Sequence, residues 1–155
     1  MARFIGEFPC KVDAKGRFLM PAGLLKQFPA EHKTSVVVCA DIFSSCLILY
    51  PMDTWNSLMN RLEQLNDFSS ENIEFIDHFM SGTLEVELDN NNRVLIPKML
   101  VDYSTIKGDI ILTSAINKMK IWTPEAKQEK RKAFDSKKYA SFAEKLFGNQ
   151  GGGNS

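Results

Sequence analysis

The stretch Asp13-Ala14-Lys15-Gly16-Arg17-Phe18-Leu19-Met20-Pro21 returns as Asp89-Asn90-Asn91-Asn92-Arg93-Val94-Leu95-Ile96-Pro97, an Asp-x-x-x-Arg pair followed by three apolar residues and Pro at a constant offset of 76. A chain that carries such a block twice folds as two copies of one unit, and a period this long implies tandem domains, not a solenoid. The match extends outward, pairing Phe8–Val12 with Leu84–Leu88 and Gly23-Leu24-Leu25 with Met99-Leu100-Val101. After a loop three residues shorter in the second copy, Val36-Val37-Val38-Cys39 through Pro51 aligns with Asp109-Ile110-Ile111-Leu112 through Pro124 at an offset of 73.

Each block reads as strand, turn and strand. Phe4 to Val12, rich in aromatic and β-branched residues, suits a strand broken near Pro9. Asp13 and Gly16 form the turn, Asp by bonding local backbone amides and Gly by its freedom to take positive φ. Asp89 and Asn92 take those two places in the second copy, and Asn is the next most tolerant residue of left-handed geometry. Pro21 ends the next strand and opens a short helix, Ala22 to Phe28, an order repeated by Pro97 and Lys98 to Tyr103. Two β-prone runs follow in each copy, Ser35–Ala40 with Leu47–Tyr50, then Ile110–Thr113 with Met119–Trp122, each pair a hairpin. Units this small cannot bury both faces alone, so the copies are expected to interleave around one core.

Between the copies, apolar residues at helical spacing behind Asp53, read as an N-cap, predict a helix over 53–65, and a second is predicted over 70–80. A basic helix is expected over 124–147, stopped by Gly148. The fold is therefore α+β with pseudo-twofold symmetry. Residues 1–52 form the first unit, 53–80 a helical linker, 81–124 the second unit, 125–148 a C-terminal helix and 149–155 a flexible tail.

Composition bounds function. An apolar content of 44% fills a core, and no apolar run approaches the ~20 residues that cross a bilayer. Glu7 and Lys11 interrupt what a signal peptide would keep apolar, so a cytoplasmic protein is expected. Cys10, Cys39 and Cys46 lack a Cys-x-x-Cys pair, and His32 and His78 hold no ligand spacing to them, so no metal, cofactor or catalytic group is assigned. The net charge of zero is segregated: +3 over residues 1–33, −8 over 34–106 and +5 over 107–155. Such a chain presents a local basic face to a polyanion despite its neutrality.

The duplicated Asp-x-x-x-Arg block, with the opening Phe4-Ile5-Gly6-Glu7-Phe8, the Leu49-Tyr50-Pro51 to Trp55 segment and Lys120-Ile121-Trp122, resembles the MraZ family over nearly the whole chain. The resemblance implies two SpoVT/AbrB-like domains in a swapped-hairpin β-barrel, with helices outside it. It also implies a ring-shaped homo-oligomer, often octameric, bound to double-stranded DNA at promoter repeats. The role implied is nucleoid-associated transcriptional control of the division and cell-wall gene cluster that includes its own gene, with no membrane or small-molecule substrate involved. DNA contact is then expected from Arg17 first, with Lys15, Lys11 and Arg3 assisting through phosphates. Arg93 ranks below Arg17, because the second motif lacks both the Lys and the Gly of the first, and Ile76-Asp77-His78-Phe79 has an acid where the family often has Arg. Asp13 is read as a turn former that orients Arg17. Three other readings stand beside this one: an Asp–Arg pair that merely closes a hairpin, an assembly protein with a basic surface, and an enzyme on a related barrel.

Overall fold

The computed structural model describes residues 1–32 and 35–148, so Lys33 and the expected tail at 149–155 lie outside the described residues. The chain divides into two compact units, Met1–Pro124 and Glu125–Ser155. In the first, strands β1 (Glu7–Lys11), β2 (Arg17–Leu19), β3 (Ser35–Ala40), β4 (Leu47–Pro51), β5 (Leu84–Glu87), β6 (Arg93–Leu95), β7 (Asp109–Ser114) and β8 (Met119–Trp122) alternate with helices α1 (Ala22–Leu25), α2 (Met52–Leu62), α3 (Ser70–Met80) and α4 (Lys98–Ser104). The class is α+β, as the sequence led one to expect.

Six strands form one antiparallel sheet in the order β1-β7-β8-β4-β3-β5, and β2 pairs with β6 in a second, two-stranded sheet. Each copy keeps its own hairpin, β3–β4 or β7–β8, and exchanges the rest: β1 of the first lies on β7 of the second, β5 of the second lies on β3 of the first, and β4 meets β8 at the centre. Neither copy makes its sheet alone. The enclosed core draws on both, with Val36, Val38, Leu47 and Leu49 beside Ile110, Leu112, Met119 and Ile121, and Phe18, Met20 and Leu24 beside Val94, Ile96 and Leu100.

The core also corrects the alignment of the hairpins. Val36 and Val38 pack inward as Ile110 and Leu112 do, an offset of 74 (110 − 36), while Leu47 and Leu49 match Met119 and Ile121, an offset of 72 (119 − 47). The uniform offset of 73 would have turned every one of these side chains to the opposite face, because strand side chains alternate with a period of two. The residues of the first copy that face away, Val37, Cys39, Ile48 and Tyr50, are covered by α2 and α3 through Trp55, Leu58, Met59 and Phe79. Trp55 stands 5.5 Å from Tyr50 and 6.1 Å from Phe79 between ring centroids, which brings the end of α3 against the start of α2.

Other local expectations shift. Pro9 does not break β1: it sits within the strand opposite Ile111, at a sheet edge where its missing N–H costs no ladder bond. The position before α2 is Pro51, so Asp53 lies inside the first turn. There its Oδ2 accepts the Ala2 amide at 2.7 Å, pinning the N-terminal segment. The C-terminal unit is not one continuous helix. Helix α5 (Pro124–Ala133) stops at Phe134, and the Asp135 carboxylate caps a new helix α6 (Ser136–Ala143) by accepting the Lys138 amide at 2.8 Å. A single π-helical turn, Glu144–Gly148, follows.

Candidate nucleic-acid interface

The two motifs fold to the same set of bonds. In the first, the Asp13 amide donates to the Arg17 carbonyl at 2.8 Å and the Gly16 amide to the Asp13 carbonyl at 3.0 Å, closing a tight turn. Asp13 Oδ1 then accepts the Lys15 and Arg17 amides, both at 2.9 Å. In the second, Asp89 N–H to Arg93 carbonyl (3.1 Å), Asn92 N–H to Asp89 carbonyl (2.9 Å) and the Asn91 and Arg93 amides on Asp89 Oδ1 (2.9 Å each) repeat the arrangement. Both turns need a left-handed residue at their fourth position: Gly16 has φ 84° and Asn92 has φ 61°.

The remaining carboxylate oxygen holds the arginine. Arg17 Nε donates to Asp13 Oδ2 at 3.0 Å and Arg93 Nε to Asp89 Oδ2 at 2.8 Å. In each pair the amide of the arginine, above all, holds the Asp carboxyl below the usual carboxylate range, with the guanidinium adding to the same effect against a smaller cost of desolvation. At the surface such pairs orient more than they stabilise. Their consequence is geometric, since Nε is the only guanidinium nitrogen engaged among the described residues, and the two terminal amino groups are left as a fork for a planar anion or a base edge.

The pairing of β2 with β6 brings the forks together. Arg17 stands opposite Leu95 and Leu19 opposite Arg93, with Phe18 opposite Val94 between them. The Ile96 amide bonds the Gly16 carbonyl and the Met20 amide bonds the Asn92 carbonyl, each at 2.9 Å, so the Phe18–Val94 pair is of the hydrogen-bonded type and the flanking pairs are of the closer, non-bonded type. Phe18 and Val94, 1% and 0% exposed, turn into the core, and Arg17, Leu19, Arg93 and Leu95 share the opposite face. The face is a square with arginines on one diagonal and leucines on the other.

Lys15 lies exposed on the first turn, and the Val12–Phe18 bridge carries exposed Lys11 onto the Arg17 side of the strand. The corresponding places of the second copy hold Asn91 and Glu87. Arg3 is not part of this patch. The Phe4 amide bonds the Ile116 carbonyl beyond the Glu7–Thr113 end of the β1–β7 ladder, whereas Lys11 and the turn lie at its Asp109 end, roughly 25 Å away along extended chain. Leu19 and Leu95 were not singled out from the sequence. Their signal was the alternation inside the three-apolar run, which puts its first and third residues on one face and its middle residue, Leu19 or Leu95, on the other.

A cavity of about 350 Å³ between the β3–β4 loop, α3 and α4 shares no residue with the patch, and its buried acid, Asp41, is tied to Lys120 at 3.6 Å. Among the described residues no group of His, Cys, Asp and Glu could hold a metal ion, and no helix is long and apolar enough to cross a membrane.

Two interleaved copies of one strand-turn-strand unit, each presenting an Asp-clasped arginine on a shared surface, define a two-repeat α+β protein. The MraZ protein family, antitoxin-like by its description, matches residues 3–75 and 79–145. The transcriptional regulator MraZ of Christiangramia forsetii is 43% identical over 149 residues, covering 96% of both chains. The proteins of that name from Flavobacterium psychrophilum and Cytophaga hutchinsonii are 37% and 39% identical, each over at least 94% of both chains. The chain belongs to the MraZ family.

Proposed function

We propose that this chain is a sequence-specific transcriptional regulator that meets double-stranded DNA with the β2–β6 face. The observation that supports it best is the pair of arginine forks, each held at Nε by its own Asp and open at its outer edge. A two-stranded ribbon fits the major groove, and an arginine fork fits the O6 and N7 acceptors of guanine or a phosphate. Arg17 is the principal contact, with Lys15 and Lys11 adding phosphate contacts beside it and Arg93 supplying the second fork. Arg3, at the far end of β1, reaches DNA only through a separate phosphate.

Two forks and a few lysines give weak binding in one protomer, so specificity calls for several copies in fixed geometry. The family resemblance supports a ring-shaped homo-oligomer of swapped-hairpin barrels on promoter repeats, in the nucleoid, controlling the division and cell-wall cluster that includes its own gene. Gel-shift titration of the full chain on that promoter tests the reading. Retention should fall steeply with salt, and light scattering should give a mass larger than a dimer. Undiminished binding by a folded Arg17→Ala protein, or a strict monomer with full specificity, would sink it.

A further inference from the structure

We infer that Leu19 and Leu95 read the C5-methyl groups of thymines next to the bases contacted by Arg17 and Arg93, an inference that rests on the β2–β6 face being the DNA interface. Leu19 is 59% exposed and Leu95 46%, although the strands that carry them send their alternate residues wholly into the core. A single exposed leucine needs no explanation. Here two occupy equivalent places in the two copies and complete a square with the two arginines. Leu95 also lies over the first turn, its Cδ1 within ordinary van der Waals range, 3.8 Å, of where a side chain on Gly16 would begin.

The spacing suits adjacent bases. Each leucine is two residues along its strand from one arginine, about 7 Å, and directly across from the other, about 4.5 Å between Cα atoms. Base pairs rise about 3.4 Å, so a leucine falls one to two steps from the base edge that an arginine reaches. Along the major-groove edges the thymine methyl is the one apolar group, and an aliphatic side chain pressed there loses water without leaving a polar atom unpaired. Exchange of the two strands by the pseudo-twofold swaps Arg17 with Arg93 and Leu19 with Leu95. The preferred site therefore holds guanine–thymine neighbours in inverted orientation.

Deoxyuridine tests this directly, because it pairs as thymine does and lacks only the methyl. Duplexes selected from a random library by the full-length chain would be resynthesised with each thymine replaced singly by deoxyuridine. For the wild-type chain, thymines within two base pairs of an essential guanine should each show about fourfold weaker binding, the effect of one buried methyl-sized group. Leu19→Ala and Leu95→Ala, checked for unchanged thermal unfolding, should each become indifferent to one set of these replacements while still requiring the guanines. If no thymine is methyl-sensitive, or if both leucine variants keep the full sensitivity, the inference is overturned. Binding that Arg17→Ala leaves intact would instead overturn the reading of this face as the DNA interface, so the two failures are distinguishable.

Discussion

Gly16 and Ile96 are joined across the two copies by a backbone hydrogen bond of 2.9 Å, at a point where a side chain on Gly16 would begin 3.3 Å from the Ile96 carbonyl oxygen. The first turn is thus seated against the strand of the second motif. Gly16→Ala forces an L-residue to φ 84° and crowds that oxygen, and it should cost about 1 to 3 kcal/mol. Asn92→Gly, at φ 61°, relieves strain and should be neutral or slightly stabilising. Urea unfolding of both variants checks the contrast, and equal losses would remove the argument.

Burial of Phe18 against Val94 makes the core common property of both copies. Phe18→Ala should cost about 3 to 5 kcal/mol. The loss should appear at Trp55, in the α2 cluster, and at Trp122, in β8, with one midpoint. Single-tryptophan proteins give each transition separately, and two distinct midpoints would mean the copies unfold independently.

These relations were unequally legible in the sequence. The offset of 76 identified Gly16 with Asn92 and Arg17 with Arg93, because turn chemistry and charge mark those positions on any reading. The hairpins carried no such marks. Val36 and Val38 face the shared core while Val37 and Cys39 lie under α2, so both faces of β3 are apolar and a one-residue slip leaves the pattern unchanged. The break at Phe134 was hidden for a different reason, as Asp135 reads equally well as a solvated helical residue until its carboxylate is seen on the Lys138 amide. The candidate face was legible in its charges and less so in its leucines, since alternation sets the middle residue of a three-apolar run opposite its neighbours without saying which side meets the core.

Acid should loosen both motif turns together. The carboxyls of Asp13 and Asp89 are held below their ordinary range in the folded chain, chiefly by the Arg17 and Arg93 amides. A depressed folded pKa contributes stability that is present above the unfolded value and lost as pH falls through the folded one. The urea midpoint difference between wild type and Asp13→Asn/Asp89→Asn should therefore be constant near neutrality and shrink below about pH 4. A difference that persisted at lower pH would show that the carboxylate charge is not what the turn uses.

The asymmetry between the copies should be convertible into binding strength. Lys11 and Lys15 flank Arg17, whereas Glu87 and Asn91 occupy the same places beside Arg93, so one half of the pseudo-symmetric scaffold carries two added cations and the other an acid and an amide. Arg17→Ala should accordingly weaken binding more than Arg93→Ala does, and should itself cost about 1 to 3 kcal/mol if its fork meets a guanine. Lys11→Ala should weaken binding on all sequences alike and flatten the dependence of log affinity on log salt by about one unit. The converse change is the sharper measurement. Glu87→Lys together with Asn91→Lys adds two cations at exposed positions equivalent to Lys11 and Lys15, and neither replaced side chain takes part in the Asp89–Arg93 clasp. Affinity for DNA of any sequence should rise, with the salt dependence steeper by up to two units per engaged protomer, measured by fluorescence anisotropy between low and moderate salt. If the double variant binds with the wild-type slope, the second motif does not approach the phosphates, and the face that meets DNA is centred on Arg17 alone.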